Sequence, residues 1–308
     1  MKNISYPQNA RDLLWWTELK GKVKAYFKDN VSVVDTTTTL KALELTYWRE
    51  KETSIADGNV EIIDPVNSIT LWSEHFENDK LNGISLLTGH PRAIQIDSTT
   101  DSTMDTLVVT SDTMISYQDS LQRLITSGHV EIVRTGLAAE AGECLMITKL
   151  DSLILNNSPI VWYKQSNAET TQVSGDSLFI KLKKRKLETL TVRGNALVVS
   201  QVDSVRTSRY NQMSGGDLVM NFVNNAVQQI EISTTATLLY YVFDNEQPNG
   251  LNKTTGDHGT IRFKDKRVDA IKVVGGIEGQ YFPEKMLAGK ESDFNLPAFI
   301  WHKRKSTH

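Results

Sequence analysis

The chain has 308 residues, 39% of them hydrophobic, and its 34 Lys and Arg against 37 Asp and Glu give a formal net charge of −3. This length accommodates one large domain or two ordinary ones, and the near-neutral balance argues against a protein that holds nucleic acid mainly by neutralising phosphates. A single cysteine, Cys144, excludes an internal disulfide and a multi-cysteine zinc site. No apolar run approaches the ~18 residues that a membrane-spanning helix needs.

The first half of the chain repeats a short element loosely. Gly58-Asn-Val-Glu-Ile62 and Gly128-His-Val-Glu-Ile132 are near-copies, and Asp29-Asn-Val-Ser-Val33 is an earlier one. Between them, Gly89-His-Pro91 and Asn157-Ser-Pro159 are degenerate versions that carry proline. Repetition of this kind predicts an array of similar supersecondary units.

The second half repeats more regularly, with a period of about 40 residues. The segments Leu187–Ala196, Val227–Ala236 and Val268–Ile277 align so that their apolar positions superimpose. Upstream of each segment lies a second shared element, which begins at Gly175, Gly216 and Gly256 in the three copies.

One unit of the array predicts a strand, a tight turn and a longer strand. Apolar residues alternate with polar or mixed ones in Leu178–Leu182 and Leu218–Phe222, which is the period of a half-buried strand. The polar breaks at 183–186, 224–225 and 264–266 are typical of hairpin turns. Because such a unit cannot bury its apolar face alone, the units must stack. The sequence therefore predicts an elongated all-β protein of stacked antiparallel strands.

The motifs of enzymes and metal sites have simpler structural explanations here. Gly175-Asp-Ser-Leu178 matches the nucleophile string of the GDSL esterases, but Gly216 and Gly256 fill the same repeat column without the serine. No histidines stand at a metal-ligand spacing, and Cys144 has no obvious base. The sequence therefore predicts no enzyme, no cofactor and no metal.

At this level the repeat resembles a known family. The stretch Leu40–Tyr47 followed by Ile55–Val60 is similar to the OstA-like repeats of the lipopolysaccharide transport proteins LptA, LptC and the N-terminal domain of LptD. The segments Gly279–Pro283 and Leu296–Trp301 resemble longer OstA-like proteins of Bacteroidetes-type bacteria. The resemblance covers nearly the whole chain, and its specificity comes from repetition because the motif is short.

The resemblance implies a V-shaped β-jellyroll that carries the acyl chains of lipid A in an open apolar groove. It implies two OstA-like regions at residues 18–160 and 161–285, followed by a tail at 286–308. It further implies a periplasmic protein that belongs to a bridge to the outer membrane, although a signal peptide is not visible in this chain. The expected partners are lipopolysaccharide and other Lpt-type jellyrolls, or further copies of the chain, joined through edge strands.

If this reading holds, the in-register apolar residues of the strands should face the groove. The expected groove residues are Val60, Ile62, Val130, Ile132, Leu178, Ile180, Leu190, Val192, Ala196, Val198, Leu218, Met220, Phe222, Ile230, Ile232, Ala236, Leu238, Ile261, Phe263, Ile271 and Val273. The alternative is a closed β-solenoid scaffold or adhesin, in which the same residues fill a dry core and the surface binds protein or glycan.

Overall fold

The computed structural model describes residues 17–19, 22–35, 37–98, 104–164, 170–183, 186–202, 206–245, 247–265 and 267–302. Within these ranges nearly all secondary structure is antiparallel β-strand, which confirms the predicted all-β fold.

The strands up to residue 150 are β1 (Thr17–Leu19), β2 (Lys22–Val34), β3 (Thr39–Trp48), β4 (Thr53–Asp64), β5 (Ile69–Asp79), β6 (Ile84–Thr88), β7 (Arg92–Ser98), β8 (Met104–Thr110), β9 (Thr113–Tyr117), β10 (Arg123–Arg134) and β11 (Leu137–Ile147). Those that follow are β12 (Ser152–Asn156), β13 (Ile160–Lys164), β14 (Thr170–Ser174), β15 (Ser177–Lys183), β16 (Lys186–Gln201), β17 (Tyr210–Val223), β18 (Ala226–Asp244), β19 (Gln247–Lys264), β20 (Arg267–Val274) and β21 (Glu278–Pro283). The helical elements are α1 (Glu284–Leu287) and two 3₁₀ turns, Thr148–Leu150 and Glu291–Phe294.

The chain divides into two compact units. One unit contains residues 1–135 and 140–150, and the other contains residues 136–139 and 151–308. In both units most strands pair with a strand that is adjacent or close to them in sequence, as hairpin repeats require.

In the first unit, β1 to β5 pair consecutively. From β5 onward, two short collinear strands take the place of one long strand. β5 pairs with both β6 and β7, which pair in turn with β9 and β8, and β10 spans both of these.

The second unit follows the same plan. β12 pairs with β15 and β13 pairs with β14, and both β14 and β15 pair with the long strand β16. The long strands β16, β17, β18 and β19 then pair in order, and β19 carries both β20 and β21.

The hairpin tips lie where the polar breaks predicted them. Asn224 and Asn225 connect β17 to β18 with φ of 52° and 62°, the left-handed conformation that two-residue hairpin turns require. Lys183 pairs with Lys186, and Lys264 pairs with Arg267, so the other two tips are equally short.

The repeated glycine element interrupts alternate strands at one level of each ladder. Two successive residues there adopt positive φ. These pairs are Asp29–Asn30, Gly58–Asn59, Gly89–His90, Gly128–His129, Asn157–Ser158, Gly194–Asn195, Thr234–Thr235 and Gly275–Gly276. Gly, Asn and Asp tolerate this conformation best, which explains why these residue types recur in the repeat.

Within the long strands, such a pair produces a β-bulge. Val192 and Ala196 are four positions apart on β16, whereas the residues opposite them on β17, Leu218 and Gly215, are only three apart. The strand with the positive-φ pair therefore carries one extra residue, which bends it. Because the extra residue falls on alternate strands at the same level, the bends line up across the ladder.

The bends divide the strands of the second unit into two layers that pack together. The Tyr163 ring, on β13, meets the Phe222 ring, near the far end of β17, edge to face with centroids 5.6 Å apart. A Cβ on Gly259, on the far side of the bend, would touch Leu238, which lies in the other layer. The apolar side chains between the layers form the core.

Candidate functional site

The expected groove residues of the second unit lie on one face of the sheet. Residues directly opposite each other in neighbouring strands share a face. One cross-strand row contains Leu153, Ile180, Leu190, Met220, Ile230, Ile261 and Ile271. The next contains Leu155, Leu178, Val192, Leu218, Ile232, Gly259 and Val273. We call this face the inner face.

The inner face continues across the bend into the second layer. There Val161, Val173, Val198, Met213 and Leu238 form a row. Ala196 and Ala236 lie at the bend, opposite Gly215 and Gly256. These small residues allow the two layers to approach each other closely.

Most of the expected groove residues are buried. Eighteen of them are between 0 and 8% exposed: Val60, Ile62, Val130, Ile132, Leu178, Ile180, Leu190, Val192, Ala196, Val198, Leu218, Met220, Phe222, Ile230, Ile232, Ala236, Leu238 and Ile261. Phe263 and Val273 are half-buried, and Ile271 is 41% exposed. The inner face is therefore a packed interior along most of its length.

The interior opens at the last strand of the second unit. β20 is paired with β19 on one side, and no partner lies along its other side among the described residues. Ile271 and Val273 end the two inner rows on this strand and keep access to solvent. This terminal part of the interior is therefore reachable without any change in fold.

The first unit has the same inner face, and only part of it was predicted from the sequence. Val109 joins Ile62 and Ile132 in a row with Leu40, Leu71 and Ala93. The missed row beyond the bend contains Leu45, Ala56, Phe76, Leu87, Met114 and Thr126. A signal for it existed: Ala56 and Thr126 each stand two positions before the repeat glycine, where Val192 and Ile232 stand in other copies.

The inner face offers hydrophobic burial rather than reactive groups. Burial raises the pKa of the Cys144 thiol to about 12, so the thiolate that a nucleophile requires is scarce at neutral pH. The serine of the esterase-like string, Ser177, donates to Asn156 Oδ1 at 2.8 Å, and Asp176 accepts from Asn195. Among the described residues no group of three His, Cys, Asp or Glu side chains is arranged to hold a metal ion.

Polar side chains hold the bends from the opposite, outer face. His75 Nδ1 lies 2.6 Å from Asp57 Oδ1, and its Nε2 lies 3.0 Å from Glu77 Oε1. These two carboxylates raise the pKa of His75. In the second unit, the backbone N–H of Gly194 and the Arg193 guanidinium lower the pKa of the Asp217 carboxyl.

In the second unit the C-terminal segment 284–302 covers part of the outer face. Gln172 and Gln212 are each only 1% exposed, and each amide both donates to and accepts from this segment. Arg209 binds Glu284 and Glu291 at its start. Both faces of this layer are therefore buried, and the outer one is closed by the chain's own residues.

The chain matches no protein-family model, and no curated protein matches it significantly. In the part of the chain that the structure describes, no helix has the length and apolar character to cross a membrane.

Proposed function

We propose that this protein binds lipopolysaccharide through the acyl chains of lipid A and carries it as part of a periplasmic bridge to the outer membrane. The observation that carries this proposal is the inner face, whose apolar rows run through consecutive strands of a unit and end in solvent at β20. The resemblance of the repeats to OstA-like proteins supports the same function.

The physical basis is the transfer of acyl chains out of water. Each methylene group buried against apolar side chains contributes about 0.8 kcal/mol. Because the interior is already packed, a chain that enters must separate the two layers, and that separation has a cost of its own. Entry is easiest where Ile271 and Val273 already contact solvent.

The unpaired edge of the second unit's sheet could bind a partner that adds a β-strand. In the second unit, β20 and β21 together form a terminal strand whose other side is unpaired within the described residues. Ile277 and Tyr281 along this strand are exposed. An edge of this kind presents backbone groups to a strand of another Lpt-type protein, or of a second copy of the chain.

Photo-crosslinking at neighbouring positions of β20 tests the lipid proposal. A photoreactive residue at position 271 faces the interior, whereas one at 272 lies on the opposite face of the same strand. Labelled lipopolysaccharide should react at 271 and not at 272, and excess unlabelled lipopolysaccharide should abolish the reaction. Equal labelling at both positions, or none at 271 in a protein with an intact β-sheet circular dichroism spectrum, would refute the proposal.

The second candidate is a closed scaffold or adhesin that binds protein or glycan through its surface. The burial of eighteen expected groove residues favours it, because a permanently open trough would leave them accessible. A photoreactive residue at position 232 separates the candidates, with position 231 as its outer-face control. Acyl chains that enter the interior should label 232, whereas a closed scaffold should give no labelling there.

A further inference from the structure

A cleft lies mainly on the outer face of the first unit. Its volume is about 510 Å³, which falls within the range of about 300–1,000 Å³ that small-molecule sites occupy. Nine of its twelve lining residues belong to two adjacent cross-strand rows of that face. They are Trp48, Thr53, Asp79, Ile84 and Tyr117 in one row, and Ile55, Glu77, Leu86 and Ile115 in the other.

Two aromatic rings stand at opposite sides of this cleft. Trp48 is on β3 and Tyr117 is on β9, with β4, β5 and β6 between them. Four strand spacings of about 4.8 Å place the two backbones roughly 19 Å apart. The cleft therefore suits a short chain of rings that lies across the strands better than a single ring.

Each aromatic ring is supported from outside the cleft by a cation. Lys24 on β2 lies over the Trp48 ring, 5.3 Å from its centroid, and the Arg123 guanidinium on β10 lies 4.8 Å from that of Tyr117. Each cation belongs to the strand that flanks its aromatic residue on the side away from the cleft. Cation–π contact holds such a ring in place, so the opposite ring faces are turned toward the cleft.

The floor between the rings combines aliphatic and polar groups. The aliphatic side chains of Ile55, Ile84, Leu86 and Ile115 provide apolar surface. Glu77 and Asp79 provide carboxylate acceptors, and Lys51 provides a donor at one end. Asp79 is held in place because both of its oxygens accept from Asn82, at 3.0 and 2.7 Å. Three cations in and beside the cleft, Lys24, Lys51 and Arg123, are balanced by the carboxylates of Glu77, Asp79 and Asp119, which disfavours a strongly charged ligand.

We propose that this cleft binds a neutral oligosaccharide. Sugar rings have apolar C–H faces that stack on aromatic and aliphatic side chains, and their hydroxyl groups pair with carboxylates and ammonium groups. The two aromatic rings and the aliphatic floor of the cleft offer surfaces for stacking, and its carboxylates and Lys51 offer hydrogen-bonding groups. Because the cleft is on the outer face, its ligand does not depend on acyl-chain binding by the inner face.

Titration with three neutral trisaccharides tests the proposal. Cellotriose, maltotriose and triacetylchitotriose are added to the full-length protein, and binding is followed by saturation-transfer NMR and calorimetry. At least one should bind. Trp48→Ala and Tyr117→Ala should each weaken that binding about tenfold, whereas Tyr117→Phe, which keeps the ring, should retain it.

A matched control lies on the same face of the same unit. Trp72 is on β5 beyond the bend, and it does not line the cleft. Trp72→Ala should leave saccharide binding unchanged. Absence of binding by all three trisaccharides would overturn the proposal, and so would equal losses in Trp48→Ala and Trp72→Ala. Crosslinking of lipopolysaccharide at position 271 should be unaffected by Trp48→Ala, so this test and that of the lipid proposal fail independently.

Discussion

The bends make a direct prediction about Gly194. Its φ is +71°, and a Cβ placed on it would collide with the carboxylate of Asp176, which lies in the link between β14 and β15. Forcing an alanine into the left-handed region costs about 1–2 kcal/mol. The Asp176 side chain would also have to leave the Asn195 amide, which donates to both of its oxygens at 3.1 Å, at a net cost of about 1 kcal/mol. Gly194→Ala should therefore lower the free energy of unfolding by about 2–3 kcal/mol.

Two control glycines separate the backbone strain from the collision. Gly276 also has positive φ, but a Cβ added to it would meet no heavy atom within 4 Å, so Gly276→Ala should cost only the backbone strain. Gly279 has neither feature, and Gly279→Ala should be nearly neutral. Urea unfolding followed by circular dichroism measures all three, with hydrogen exchange in β16 and β17 reporting on the second unit alone. A cost for Gly194→Ala within about 0.5 kcal/mol of that for Gly279→Ala would refute the reasoning, because surface changes without special strain fall in that range.

Two further outcomes are expected. Thr235 has a φ of 60°, which is unfavourable for a β-branched residue, so Thr235→Asn should raise the free energy of unfolding by about 1 kcal/mol, whereas Thr237→Asn in extended backbone should not. The pKa of His75 is raised in the folded protein, so its protonated form stabilises the fold. That stabilisation is complete below the unfolded pKa of about 6.5 and is lost as pH rises through the higher folded pKa. The stability difference between the wild type and His75→Gln should thus be larger at pH 5.5 than at pH 8.5, and a constant difference across this range would contradict the assignment.

The strands, their hairpins and the inner face could be predicted because each depends on residues close in sequence. Neighbouring strands are joined by turns as short as Asn224–Asn225, so the period of the repeat directly reports their pairing. The bulges were not predicted, although the recurring Gly and Asn, which tolerate positive φ, carried a signal for them. The pair Thr234–Thr235 escaped this signal because its residue types do not favour that conformation.

The residue opposite Thr234 on the neighbouring strand explains how the Thr234 side chain is accommodated at the bend. At other bends a glycine on the bulged strand lies against a larger side chain next to it, as Gly194 does with Asp176. At Thr234 the order is reversed: its side chain lies against Gly216, whose own Cβ would collide with it. Gly216, with which the second shared element of this repeat begins, is therefore part of the same bend and lies on the strand that faces Thr234.

Closure of the outer face depends on contacts between residues far apart in sequence. Gln212 binds Leu296, 84 residues away, and Gln172 binds Ile300, 128 residues away. Neither glutamine interrupts the local strand pattern in a way that would reveal a partner. The residues 284–302 were predicted to belong mostly to a tail, and their contacts with Arg209, Gln172 and Gln212 become visible only in the folded chain.

The bends and the inner face also constrain how a ligand can enter. Because of the bulges on alternate strands, the apolar residues of each strand face the interior both before and after the bend. The two layers therefore present apolar faces to each other. Contacts such as that between Tyr163 and Phe222 must break before an acyl chain can lie between the layers. At Ile271, by contrast, an apolar surface is already exposed and no such contact has to be broken first. Lipid binding should therefore begin at β20 and depend on layer separation only for deeper positions, so position 271 should label faster than position 232.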